Sequence, residues 1–66
     1  MKITLNGEEI SLGQGMNISA LLEQFSLDRR KIAVERNMEI VHQSSFGEVI
    51  INEGDNIEII HFIGGG

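Results

Sequence analysis

Apolar residues follow two rhythms along this chain. Over residues 1–12 they alternate: Met1, Ile3, Leu5, Ile10 and Leu12 are apolar, while Thr4, Glu9 and Ser11 are polar. A period of two places such side chains on one face of a strand. Asn6-Gly7, between the halves, is the favoured pair for a two-residue type I′ turn. That turn sets Leu5 opposite Glu8, Ile3 opposite Ile10 and Met1 opposite Leu12, so pattern and turn specify one register. From residue 18 the rhythm becomes helical. Ile18, Leu21, Leu22 and Phe25 stand at i, i+3, i+4 and i+7, an apolar stripe. Asn17 suits the N-cap, with Met16 and Leu21 at the two positions of a hydrophobic staple.

Alternation returns at Ile32 and Val34, pauses at a turn over Arg36-Asn37-Met38, and resumes at Ile40 and Val41. Residues 42–48 read as irregular, with Phe46 as an apolar plug beneath them. Residues 49–51 form a short strand or an approach to one. After the turn cluster "NEGDN", "IEIIHFI" is the last strand, rich in β-branched residues. The order predicts an α+β domain of the ubiquitin-like β-grasp type: a small mixed sheet covered on one face by one helix, spanning residues 1–63. Residues 64–66 are expected to form a flexible C-terminal glycine tail. In the last strand Ile57, Ile59, His61 and Ile63 face one way, and Glu58, Ile60 and Phe62 the other. With Ile57 and Ile59 in the core, Ile60 and Phe62 lie on the uncovered face beside the tail, a candidate partner-docking pair. The alternative is that Phe62 tucks against the sheet edge.

Composition removes many functions. A chain of 66 residues is one domain that buries only about 60% of its unfolded surface. It has no cysteine, so neither a disulfide nor a thiolate metal site nor a cysteine nucleophile is available. His42 and His61 are the only histidines and lack metal-ligand spacing; we expect no metal site and no catalytic residues. "GQG" at 13–15 is too short to cradle phosphate. Ten acidic residues against five basic ones give a net charge of −5. That charge argues against nucleic acid as a partner and suits docking on a basic surface, or simply keeps a small protein dissolved. No apolar run is membrane-sized and the first residues lack a signal-peptide core, so the expectation is a cytoplasmic protein without membrane contact. Arg29-Arg30-Lys31 is the one basic cluster; we read it as offsetting the dipole of the preceding helix, with partner docking as the alternative.

The glycines remain. Gly64, Gly65 and Gly66 carry no side chain and span roughly 10 Å if extended, so they can enter a channel too narrow for any Cβ. The functional group they bring is the α-carboxylate of Gly66, which becomes electrophilic once converted to an acyl-adenylate. The chain resembles the ThiS family, the sulfur carrier proteins of thiamin biosynthesis, through "ITLNGEEI", "NISALLEQF", "VERNMEIV", "EGDNIEIIHF" and the closing "IGGG". The resemblance implies that a ThiF-type enzyme uses ATP to adenylate Gly66. Sulfur from a cysteine-derived donor system then makes the thiocarboxylate, which a ThiG-type thiazole synthase receives. The chain would be a co-substrate with no bound cofactor. Alternatives are the small subunit of molybdopterin synthase, a ubiquitin-like modifier joined to lysines, and a plain interaction module.

Overall fold

The computed structural model describes residues 1–62; the expected boundary at 63 and the 64–66 tail lie outside the described residues. The elements are β1 (Lys2–Leu5), β2 (Glu8–Ser11), α1 (Ile18–Gln24), β3 (Ile32–Arg36), β4 (Glu39–Val41) and β5 (Asn56–His61). The five strands form one sheet in the order β2-β1-β5-β3-β4. β1 runs parallel to β5 and the other neighbours are antiparallel. This is the expected mixed sheet with one helix.

The first hairpin has the register set by Asn6-Gly7, with Ile3 opposite Ile10 and Leu5 opposite Glu8. Asn6 and Gly7 both take positive φ, 49° and 83°, as a type I′ turn requires. The second hairpin repeats the device: Arg36 pairs with Glu39 around Asn37 (φ 51°) and Met38 (φ 72°).

Helix α1 starts where Asn17 Oδ1 accepts from the Ala20 N–H at 2.7 Å. Seven residues are too few for a helix to persist alone. Ile18, Leu21 and Leu22 anchor it in a core that includes Ile3, Val34, Phe46, Ile51, Ile57 and Ile59, each buried side chain contributing roughly 1.5–3 kcal/mol.

The stripe ends sooner than its spacing predicts. Phe25 is the C-cap and is 43% exposed. Ser26 turns into the left-handed region (φ 56°), its N–H donating to Glu23 O, and Leu27 N–H reaches Leu22 O at 2.9 Å. This is a Schellman closure, and Leu27 packs on the core in place of Phe25. The basic cluster is also displaced from the helix end: Arg29–Lys31 form a separate 3-10 turn capped by Asp28. The Leu21, Leu22 and Glu23 carbonyls accept from the Phe25, Leu27 and Ser26 N–H groups, and the cluster begins five residues beyond the helix, outside the last turn where a dipole offset acts.

Side chains at the turns fasten β5 to its neighbours. Asn6 Oδ1 accepts from Ile59 N–H (2.7 Å) while its Nδ2 donates to Ile59 O (3.3 Å). Asn37 Oδ1 accepts from Asn56 N–H (2.9 Å). Asp55 is the buried charged residue among those described. It accepts from the Asn52 N–H (2.8 Å), Arg36 Nε (2.8 Å) and Asn37 Nδ2 (3.1 Å). Burial works to raise its pKa; the Asn52 N–H, the Arg36 guanidinium and the Asn37 amide outweigh it and hold the group below 3.8, the ordinary value. The resulting stability is present above that ordinary value and is lost as pH falls below it through the lowered folded-state pKa. Asp55→Asn is expected to cost about 2 kcal/mol at neutral pH and to flatten the acid limb of stability below the ordinary carboxylate value. Urea unfolding of both proteins across that range checks it.

Candidate functional site: the root of the C-terminal segment

Strand β5 delivers the chain to the last described residue. Its lower half is bonded on both sides: Thr4 and Leu5 of β1 pair with Asn56 and Ile57, and β3 pairs along its whole length from Arg36↔Ile57 to Ile32↔His61. The antiparallel register continues one step further, where Phe62 N–H donates to Lys31 O at 2.9 Å. The departure point of residues 63–66 is thereby held against the 3-10 turn.

Alternation along β5 sorts its side chains as the sequence predicts. Ile57 and Ile59 are buried under α1. Ile60 and Phe62 are 49% and 58% exposed on the opposite face. Phe62 is therefore not tucked against the edge, and the candidate docking pair is accessible. His61, on the core-facing side, is exposed where the strand leaves the cover of the helix. Ala33, paired with Ile60, extends the apolar row. Next along the face, Glu58 stands opposite Glu35, which in turn pairs with the exposed Ile40 of β4.

The basic cluster divides by role. Arg29 NH2 donates to Gln43 O (2.8 Å) and its guanidinium lies 5.4 Å from the Phe46 ring centroid. It fastens the 3-10 turn to the 43–46 segment. Arg30 makes a fork with Asp28, at 3.1 and 3.2 Å. Lys31 is exposed and enters no ion pair among the described residues. Sequence reasoning missed this division, because Gln43 and Asp28 carry no periodic signal.

Chemistry elsewhere is sparse. Among the described residues no three His, Asp or Glu side chains gather closely enough to hold a metal. A cavity of about 80 Å³ beside α1 is lined by Ser19, Leu22, Glu23, Leu27 and Arg29. A more open groove of about 230 Å³ runs along β4, between Glu39, Ile40, His42 and Val49. No described helix is long and apolar enough to cross a membrane. Gly64, Gly65 and Gly66, the candidate modified and inserted residues, lie outside the described residues.

Known proteins share this arrangement. The chain is 52% identical, over all 66 residues, to a thiazole synthase of Paramagnetospirillum magneticum, of which it covers 20%. It thus spans about a fifth of that relative's length, and the same holds for a thiazole synthase of Magnetococcus marinus at 44% identity. It is 37% identical over 65 residues to the sulfur carrier protein ThiS of Bacillus subtilis, covering 97% of this chain and 98% of that one. The crystal structure of a thiamine biosynthesis protein (ThiS) from Geobacter metallireducens superposes with a TM-score of 0.86 at 28% identity, each chain covered completely. The ThiS family profile matches residues 2–66. With its β-grasp sheet, single helix and glycine ending, the chain belongs to the ThiS family of sulfur carriers.

Proposed function

We propose that the chain is a sulfur carrier for thiazole formation in thiamin biosynthesis and that Gly66 bears the sulfur. The observation that carries this reading is the family match, which runs through Gly66 itself, on a fold whose final strand stays in the sheet register as far as Phe62. The Gly66 carboxylate attacks the α-phosphorus of ATP on a ThiF-type activating enzyme. A C–O–P link forms and pyrophosphate leaves. A hydrosulfide equivalent from a cysteine-derived donor system then adds to the acyl carbon and displaces AMP, leaving the thiocarboxylate. The chain acts as co-substrate and the partner consumes the ATP. Two relatives named thiazole synthase contain a stretch like this chain, which supports a ThiG-type synthase over a molybdopterin enzyme as recipient. Cytoplasmic location follows from these partners.

Ile60 and Phe62 are the apolar contact around the tail in this reading. Phe62→Ala leaves the fold intact, since Phe62 lies outside the core, and weakens binding to the activating enzyme about tenfold by calorimetry. Unchanged affinity removes Phe62 from the docking surface.

Intact-mass measurement of protein recovered from cells tests the chemistry. A carrier gains the difference between sulfur and oxygen at its last residue, whereas a ladder of large adducts identifies a protein modifier. Deleting Gly66, or adding one residue after it, abolishes pyrophosphate exchange while changing stability by no more than about 0.5 kcal/mol. Normal adenylation of the lengthened chain overturns the carrier mechanism.

A further inference from the structure

Four residues follow Phe62, and fully extended they reach at most about 14 Å. An enzyme acting on the Gly66 carboxylate must bring its reactive centre within that distance of Phe62. The rim of its cleft therefore lies against whatever surrounds Phe62. The sheet register identifies those surroundings level by level, about 7 Å apart along the strands. Lys31 stands opposite Phe62, Ala33 opposite Ile60, and Glu35 opposite Glu58. The uncovered face thus passes from cationic through apolar to anionic as it recedes from the tail.

Of the five basic residues, Lys2, Arg30 and Arg36 are ion-paired and Arg29 is committed to Gln43 and Phe46. Lys31 is the cation left exposed and without a carboxylate among the described residues, and it stands at the tail's root in a chain of net charge −5. Its fold contribution is made by the backbone: Lys31 N–H donates to Asp28 O, and its carbonyl accepts from Phe62. The ammonium serves neither bond.

We propose that the Lys31 ammonium is a docking contact for an acidic side chain on the rim of the activating enzyme's cleft, setting the orientation in which the tail enters. The inference rests on the carrier reading above. A rim charge of this kind acts on encounter and on salt dependence more than on the chemical step.

Pyrophosphate exchange with a ThiF-type activating enzyme and ATP, at low and moderate salt, tests the contact. Lys31→Gln is expected to raise KM for the carrier roughly threefold at low salt and Lys31→Glu roughly tenfold, with kcat unchanged and a shallower salt dependence. Gln14→Glu, which makes the same change in net charge as Lys31→Gln near the opposite end of β1, leaves KM unchanged. Wild-type KM in both Lys31 variants overturns the contact while the carrier reading stands, and an equal loss in Gln14→Glu assigns the effect to net charge and overturns it as well. Thermal unfolding confirms that the variants are folded; Lys31→Gln carries the test if Lys31→Glu is not. Absence of exchange by the wild-type chain overturns the carrier reading itself, and the contact with it.

Discussion

Everything at the functional end depends on β5 being gripped from both sides. A terminal strand pairing with one neighbour would fray from its last residue. Here β1 and β3 both flank its first residues, β3 continues to its end, and two asparagines extend the grip past the ladders. Asn6 and Asn37 each occupy a positive-φ turn position, and each also bonds a β5 backbone group, at Ile59 and Asn56. Asp55, just before the strand, gathers Arg36, Asn37 and the 52–55 turn around one carboxylate. Polar groups at the start and middle of β5 thus hold it in position, while Ile57 and Ile59 hold its face against α1.

That fixed strand sets which face of so small a fold is left uncovered. One seven-residue helix covers one face, so the other stays open along its length. Exposed Ile60, Phe62 and Ile40 would be a liability in a protein with no partner. In the carrier reading proposed above they become a surface that partner enzymes can recognise. The few charges beside the apolar row are separated along the strands, with Lys31 at the Phe62 level and Glu35 and Glu58 two levels away.

Much of this was legible in the chain. The first hairpin could be placed to the residue, because Asn6-Gly7 and the alternation around it independently demand one register. The exposed pair Ile60 and Phe62 followed from period-two patterning and the presence of one helix. Illegible were features made by side chain to backbone bonds between distant residues. The Asn6–Ile59 contact spans 53 positions and leaves no local pattern. The helix end misled for a related reason: Ser26, not glycine, takes the left-handed position, and Leu27 replaces Phe25 against the core. The basic cluster lies beyond the reach of the helix terminus because the Schellman closure and Asp28 separate the two. The candidate residues Gly64, Gly65 and Gly66 are visible in the chain as glycines, and the folded domain adds the register at Phe62 that precedes them.

The parallel pairing of β1 with β5 has a mechanical consequence. The two strands point the same way, so Met1 and Phe62 lie toward opposite ends of the sheet. Tension applied between them, as when a partner tugs the terminus of a domain tethered at its other end, loads the β1–β5 hydrogen bonds in shear, several at once. Strands peeled apart one bond at a time yield to far weaker pulling. The domain is built as a handle whose rope is fastened along the grain.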